Sequence, residues 1–281
     1  MPDKANNEQE LTFWGHLDVL RTSLFHIVIA LVICMAGGFI ALQYIFDSFV
    51  LGPTHGDFFL YRWLSSVGKV VPFAPDFSAD GFHVDIININ VASQFMVHMT
   101  TAFWLALLLA FPYVLYELWA FIRPALYPKE KKNVGTAFFF GAGMFYLGCA
   151  VGYTVVFPFT FRFLTTYQLS AEITNQISLN SYMSNFLVII FIMGVVFEIP
   201  LLAWVLSQLG LISRPFLREY RKHAVVVLLI LAAVITPSGD PFTLAVVFIP
   251  LFLLYELAIL VVRPGSPESG EDPEPEVEDG F

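Results

Sequence analysis

Six long apolar runs dominate the chain and limit what it can fold into. A helix crossing the ~30 Å hydrocarbon layer of a bilayer needs roughly 20 apolar residues. Runs of that kind extend from about Ser23 to Phe46, Phe95 to Ile122, Gly135 to Phe159, Tyr182 to Leu209 and Phe242 to Val262. A sixth, His223 to Thr236, is only 14 residues long. At ~1.5 Å per residue it spans about 21 Å, so it crosses only where the bilayer thins or flanking residues help. The fold class expected is an all-α polytopic membrane protein of six transmembrane helices over residues 23–262. A soluble chain carries about a quarter charged residues; here 13% are charged, 57% are hydrophobic and 30 residues are Phe.

The net charge of −9 is misleading. Residues 263–281 read as an acidic, disordered cytoplasmic tail, in which Pro264 to Phe281 holds seven of the 23 carboxylates and no Lys or Arg. There is no basic face to suggest nucleic acid. Cys34 and Cys149 both lie in apolar runs and read as packing groups rather than a disulfide.

Orientation follows from Lys and Arg, which resist translocation. With both termini in the cytoplasm, Lys4, Arg21, Arg123, Lys129, Lys131, Lys132, Arg214, Arg218, Arg221, Lys222 and Arg263 stay inside, and only Arg62, Lys69 and Arg162 lie outside. This predicts an N-in, C-in topology. The first outer loop, about 48 residues rich in aromatics, Pro and Gly, is long enough to form a cap over the outer mouth. The last two spans form a short hairpin joined through Pro237 to Pro241. Residues 1–22 precede the first span, and within them and just beyond, Phe13, Trp14, Leu17, Leu20 and Leu24 share one helical face beside Arg21. That segment is expected to lie on the inner membrane surface.

Enzyme signatures are absent: there is no phosphate-binding glycine loop, no His-Glu-x-x-His and no Gly-x-Ser-x-Gly. The six histidines show no metal-ligand spacing, so no catalytic set, metal or cofactor is implied. Glu198 is the sharpest residue, a carboxylate inside the fourth span beside Pro200. Such a group is expensive in hydrocarbon and reads as functional; a local bond to backbone loosened by Pro200 is the alternative. Glu130 lies among Lys129, Lys131 and Lys132. From its chemistry alone it reads as a surface charge paired with lysine; a carboxylate presented to a cationic partner is the alternative.

Taken in order, these residues resemble a known family. His16-Leu17-Asp18-Val19-Leu20-Arg21 is similar to the His-Leu-x-Glu-Leu-Arg element of TatC, the polytopic subunit of the twin-arginine protein translocase. Tyr116 to Glu130 resembles that family's first cytoplasmic loop, through Trp119, Phe121, Ile122, Pro124, Leu126, Tyr127 and Glu130. Val156-Phe157-Pro158, Phe197-Glu198-Ile199-Pro200 and Thr236-Pro237…Asp240 match further on. The resemblance covers roughly residues 11 to 263.

It implies a receptor for twin-arginine signal peptides of folded cargo, in the bacterial cytoplasmic membrane. It also implies single-span TatA/TatB-type partners, self-association, and transport driven by the protonmotive force. Glu130 would receive the paired arginines, with Phe121, Pro124, Leu126, Asp18 and Arg21 shaping that cytoplasmic site. Glu198 would meet a polar group on a partner helix, and Pro53 and Asp240 match outer-loop positions. One departure matters: Val19 stands where the family carries glutamate. Asp18 is the preferred substitute; otherwise Glu10 substitutes, or Glu130 acts alone. A proton-coupled secondary transporter or channel using Glu198 as an intramembrane proton site is the main rival, disfavoured by the lack of any repeated half or broken helix in the sequence pattern.

Overall fold

Continuous helix is what an apolar chain must form where no water can satisfy its backbone. The computed structural model describes residues 13–62, 82–122, 134–170, 172–173, 175–236 and 239–262, and helices dominate them. Five helical runs are long and apolar enough to cross a membrane: Leu17–Thr54, Ser93–Leu118, Phe139–Thr166, Leu179–Gln208 and Pro241–Val261. The short fifth run of the sequence is a 15-residue helix, Arg221–Ile235. At ~1.5 Å per residue it is about 22 Å long, below the usual crossing length.

The chain divides into two units, 1–196 and 197–281. In the first, α1 (Phe13–Ile45) runs 33 residues without a break where the amphipathic segment meets the first span. It packs along α2 (Ser93–Ile122). Contacts at both ends of the pair set an antiparallel register. Phe39 accepts a 2.8 Å hydrogen bond at its carbonyl from His98 and stacks on the same ring, while His26 lies against Glu117. The third run is α3 (Val134–Val151), a π-helical turn at Gly152–Val156, then α4 (Phe157–Thr166). Pro158 explains the turn: it has no N–H for the Thr154 carbonyl, and its ring crowds that position. The helix accommodates this by widening rather than ending, and reaches seven residues past the predicted end at Phe159.

α5 (Leu179–Val196) packs closely on α3. Gly194 permits this approach, since a Cβ there would lie 2.6 Å from Cys149 Sγ and 2.7 Å from the Phe145 ring. Buried rings of Phe157, Phe161, Tyr182 and Phe186 stack into one aromatic seam. The hydroxyls of Tyr153 and Tyr182 donate to the carbonyls of Phe49 and Val50, joining that seam to the end of the first run. Beyond it, β1 (Ile86–Ile87) pairs in parallel with β2 (Ile177–Ser178). By contrast, α1 leaves Val28, Ile29, Val32, Ile33 and Ile40 exposed, which suits lipid and not water.

The second unit holds α6 (Ile199–Gln208), α7 (Arg214–Glu219), α8 (Arg221–Ile235) and α9 (Pro241–Val261). α9 packs on both α6 and α8. Ala203, Ala258 and Val262 form a buried core with Ile199, Ile212 and Leu217 against it. Between α5 and α6 the fourth apolar run remains one candidate span, Leu179–Gln208, but its helical hydrogen bonding is interrupted at residues 197–198. The sequence pattern shows the span and not the interruption. Pro200 removes the N–H that the Val196 carbonyl needs, and it is well placed in the first turn of a new helix.

Replacing Gly194 with Ala should force Phe145 and Cys149 apart and destabilise the first unit by about 1–3 kcal/mol. Thermal unfolding of the purified protein in detergent should show the loss, whereas Gly143→Ala, with open space around its Cβ, should show little.

Candidate functional site

Carboxylates inside apolar runs separate into partnered and unpartnered groups. Glu256, on α9, accepts from the Arg221 guanidinium of α8 at 2.5 Å. Glu117, on α2, is 8% exposed and accepts from the Tyr113 hydroxyl at 2.8 Å; His26 Nδ1 of α1 lies 3.4 Å away, and the buried Ser23 hydroxyl is also bonded to it. Four polar side chains from two helices therefore satisfy one another at this end of the α1–α2 pair.

Sequence reasoning passed over both acids. The signal for Glu117 was present, because Tyr113 and Glu117 share an α2 face at i,i+4 while Ser23 and His26 share an α1 face at i,i+3. Only the register of the two helices shows that those faces meet.

Glu198 is the exception. It is 7% exposed, and neither carboxylate oxygen has a hydrogen-bond partner among the described residues. It stands at the N-cap of α6, yet its side chain does not cap that helix. The predicted alternative, a local bond to backbone loosened by Pro200, is thus not what forms: the Glu198 carbonyl accepts from Leu202 N–H at 2.9 Å, while the carboxylate bonds nothing described. Burying an acid without a partner is costly in an apolar medium. A polar group from another molecule would relieve it.

The residues expected at the cytoplasmic face are described only in part. Asp18 and Arg21 are exposed on α1, Arg21 over the Phe25 ring at 5.6 Å, and Val19 is half-buried. Phe121 is half-buried near the end of α2. The antiparallel register brings Asp18 and Arg21 to the level of Phe121. Pro124, Leu126 and Glu130 themselves lie outside the described residues, as does Glu10.

Pro53 and Asp240, expected in outer loops, acquire structural reasons. Pro53 is buried, and its carbonyl accepts from the Tyr61 hydroxyl at 3.0 Å; the same hydroxyl lies 3.3 Å from the Pro158 carbonyl. Burial pushes the Tyr61 phenol above its ordinary pKa, against an opposing pull from Arg162. The Arg162 guanidinium sits over the rings of Tyr61 and Phe82, at 4.9 and 4.6 Å, so a cation packs against this aromatic cluster. Asp240 caps α9, its Oδ1 accepting the Thr243 N–H at 2.8 Å.

Glu117→Ala should leave the Tyr113 and Ser23 hydroxyls without their acceptor and destabilise the protein by about 1–2 kcal/mol. Glu117→Gln should cost less, and thermal unfolding in detergent separates the two.

Comparison with known proteins bears on the whole chain. Residues 15–250 match the family model of the Sec-independent protein translocase protein (TatC). A Sec-independent protein translocase protein TatC of Blattabacterium sp. subsp. Periplaneta americana is 37% identical over 257 residues, covering 91% of this chain and 96% of that protein. The TatC of Deinococcus radiodurans is 38% identical over 196 residues, covering 68% and 72%. Two crystal structures of a twin arginine translocase receptor, TatC, one of them in the detergent DDM, superpose with TM-scores of 0.65 and 0.68 at 26% identity. Each covers 88% of this chain, and 97% and 99% of the respective structure.

Proposed function

The chain belongs to the TatC family of Sec-independent protein translocase proteins, and from that premise we propose that it is the receptor and scaffold of the twin-arginine translocase. It is a translocase component with several apolar helices, as a multi-pass membrane protein requires. In this reading it spans the bacterial cytoplasmic membrane six times, the short α8 completing the count, with both termini inside. Residues 1–22 form the cytoplasmic approach, 23–262 the membrane domain and 263–281 the acidic tail. It binds twin-arginine signal peptides at its inner face and recruits TatA/TatB-type single-span subunits. Transport draws on the protonmotive force, and copies of the chain associate with one another.

Recognition of the signal peptide falls to Glu130, helped by Asp18. A carboxylate accepts a guanidinium through two parallel hydrogen bonds, which the single ammonium of lysine cannot copy. Asp18 stands beside the valine that replaces the family's glutamate, and its exposure leaves it accessible. Phe121, Pro124 and Leu126 supply the apolar rim of the same site, and Arg21 anchors α1 at the headgroups.

The observation that carries the partner-binding half is Glu198, buried with both oxygens lacking a partner among the described residues. A polar side chain on a single-span helix would complete it, since interhelical hydrogen bonds inside a membrane hold helices together. Pro53 and Asp240 hold the outer cap and the last hairpin, where their backbone and capping bonds favour a positioning role.

A second reading has one observation in its favour. The break at residues 197–198, beside an unpartnered carboxylate, is the arrangement seen where transporters bind ions. A proton-coupled transporter would not distinguish the arginines of a peptide from lysines.

Glu130→Ala should lower photocrosslinking of a twin-arginine peptide at least tenfold, about 1.4 kcal/mol of lost recognition, and Arg-Arg→Lys-Lys in the peptide should do the same. Crosslinking that ignores both changes would favour the transporter. Glu198→Ala should leave peptide crosslinking within about twofold of the parent protein while reducing disulfide capture of the single-span partner helix; capture that is unaffected would remove Glu198 from the partner interface.

A further inference from the structure

The junction of α7 and α8 carries four cations close together in sequence, and the structure divides them into two pairs. Arg214 and Arg221 are used inside the protein. The Arg214 guanidinium donates to the carbonyls of Ile259 and Leu260 at 3.0 and 2.6 Å, capping the end of α9, and Arg221 pairs with Glu256. The Tyr255 hydroxyl donates to the Leu217 carbonyl and fastens the same two elements. Arg218 and Lys222 are exposed, and neither side chain has a hydrogen bond or ion pair among the described residues. Beside them the exposed Phe216 and Tyr220 rings lie 4.6 Å apart.

The tail starts from the same place. α9 ends at Val261, directly after the carbonyls that Arg214 holds, and residues 264–281 follow with seven carboxylates and no Lys or Arg. Fully extended, a chain reaches about 3.3 Å per residue, so its first few residues can already lie over α7. Tethering at that distance gives an effective concentration on the order of millimolar, enough to fill a weak charge-based site.

We propose that the acidic segment 264–281 docks on the basic edge formed by Arg218 and Lys222, as a tethered counter-ion that screens this edge from other anions. The last helix ends beside Arg214 on α7, the helix that also carries Arg218, with Lys222 at the start of α8. The contact is one of charge and needs no single backbone register, which suits a Pro-rich acidic sequence. Its consequence is that the α7–α8 edge stays neutralised, and anionic lipid headgroups must compete for it. Because α7 is fastened to the end of α9 within one unit, the inference does not depend on the receptor reading.

Zero-length carbodiimide coupling of the full-length protein in nanodiscs tests it, with peptide mass spectrometry reading the amide between Lys222 Nζ and a carboxylate of 264–281. In zwitterionic phosphatidylcholine discs at about 20 mM NaCl the Lys222–tail link should form. It should fall at least threefold at about 500 mM salt, where the screening length is only a few ångströms. Arg218→Gln should lower it at least twofold, Arg218→Lys should restore it, and a tail with all seven acids changed to amides should not be captured. Absence of the link in phosphatidylcholine would overturn the proposal, as would a link indifferent to salt or to Arg218→Gln. Loss of the link when about one third of the lipid is phosphatidylglycerol would assign the edge to lipid phosphate instead.

Discussion

Hydrocarbon offers no hydrogen bonds, and this constraint organises almost everything in the structure. Backbone groups close on themselves as helix, and polar side chains inside the apolar runs find one another: Glu117 with Tyr113, Ser23 and His26, and Glu256 with Arg221. Tyr61, Tyr153, Tyr182 and Tyr255 obey the same rule, each spending its hydroxyl on a backbone carbonyl distant in sequence. Against that background an acid with neither oxygen bonded stands out, and Glu198 is such an acid. The same carboxylate would mean little on a soluble surface.

Proline gives the runs their irregularities, and the outcome depends on what surrounds it. At Pro158 the helix widens into a π-turn and continues, with Val156 and Phe157 buried beside it. At Pro200 the helix stops and restarts, with Glu198 at the new N-cap. The first device carries the third run on to Thr166, and Pro158 and Pro53 share the Tyr61 hydroxyl. The second places an ionisable side chain at an interruption within the fourth apolar run.

Residue order alone singled out Glu198, because a lone acid in an apolar run has no ordinary explanation, and the structure finds it buried without a described partner. Glu130 was proposed from the ordered motifs around it and lies outside the described residues. Glu117 and Glu256 were not identified, since each is made ordinary by a partner from a distant segment. Asp240 was marked by motif and proved to have a mechanical reason, the cap of α9. For Asp18 the sequence offered a substitute for a missing glutamate, and the α1–α2 register brings it level with Phe121.

The sequence by itself determined the class of fold, the number and rough limits of the apolar runs, the shortness of the fifth and the family. Those properties follow from local hydrophobicity and from motifs, which every residue carries wherever it ends up. Tertiary structure alone decided which polar groups are satisfied, where a proline bends a helix and where it breaks one, and which cations at α7–α8 remain for another anion. These outcomes depend on the register between helices. Hydrophobicity is indifferent to register in a chain whose runs are apolar on every side, so only packed side chains can set it.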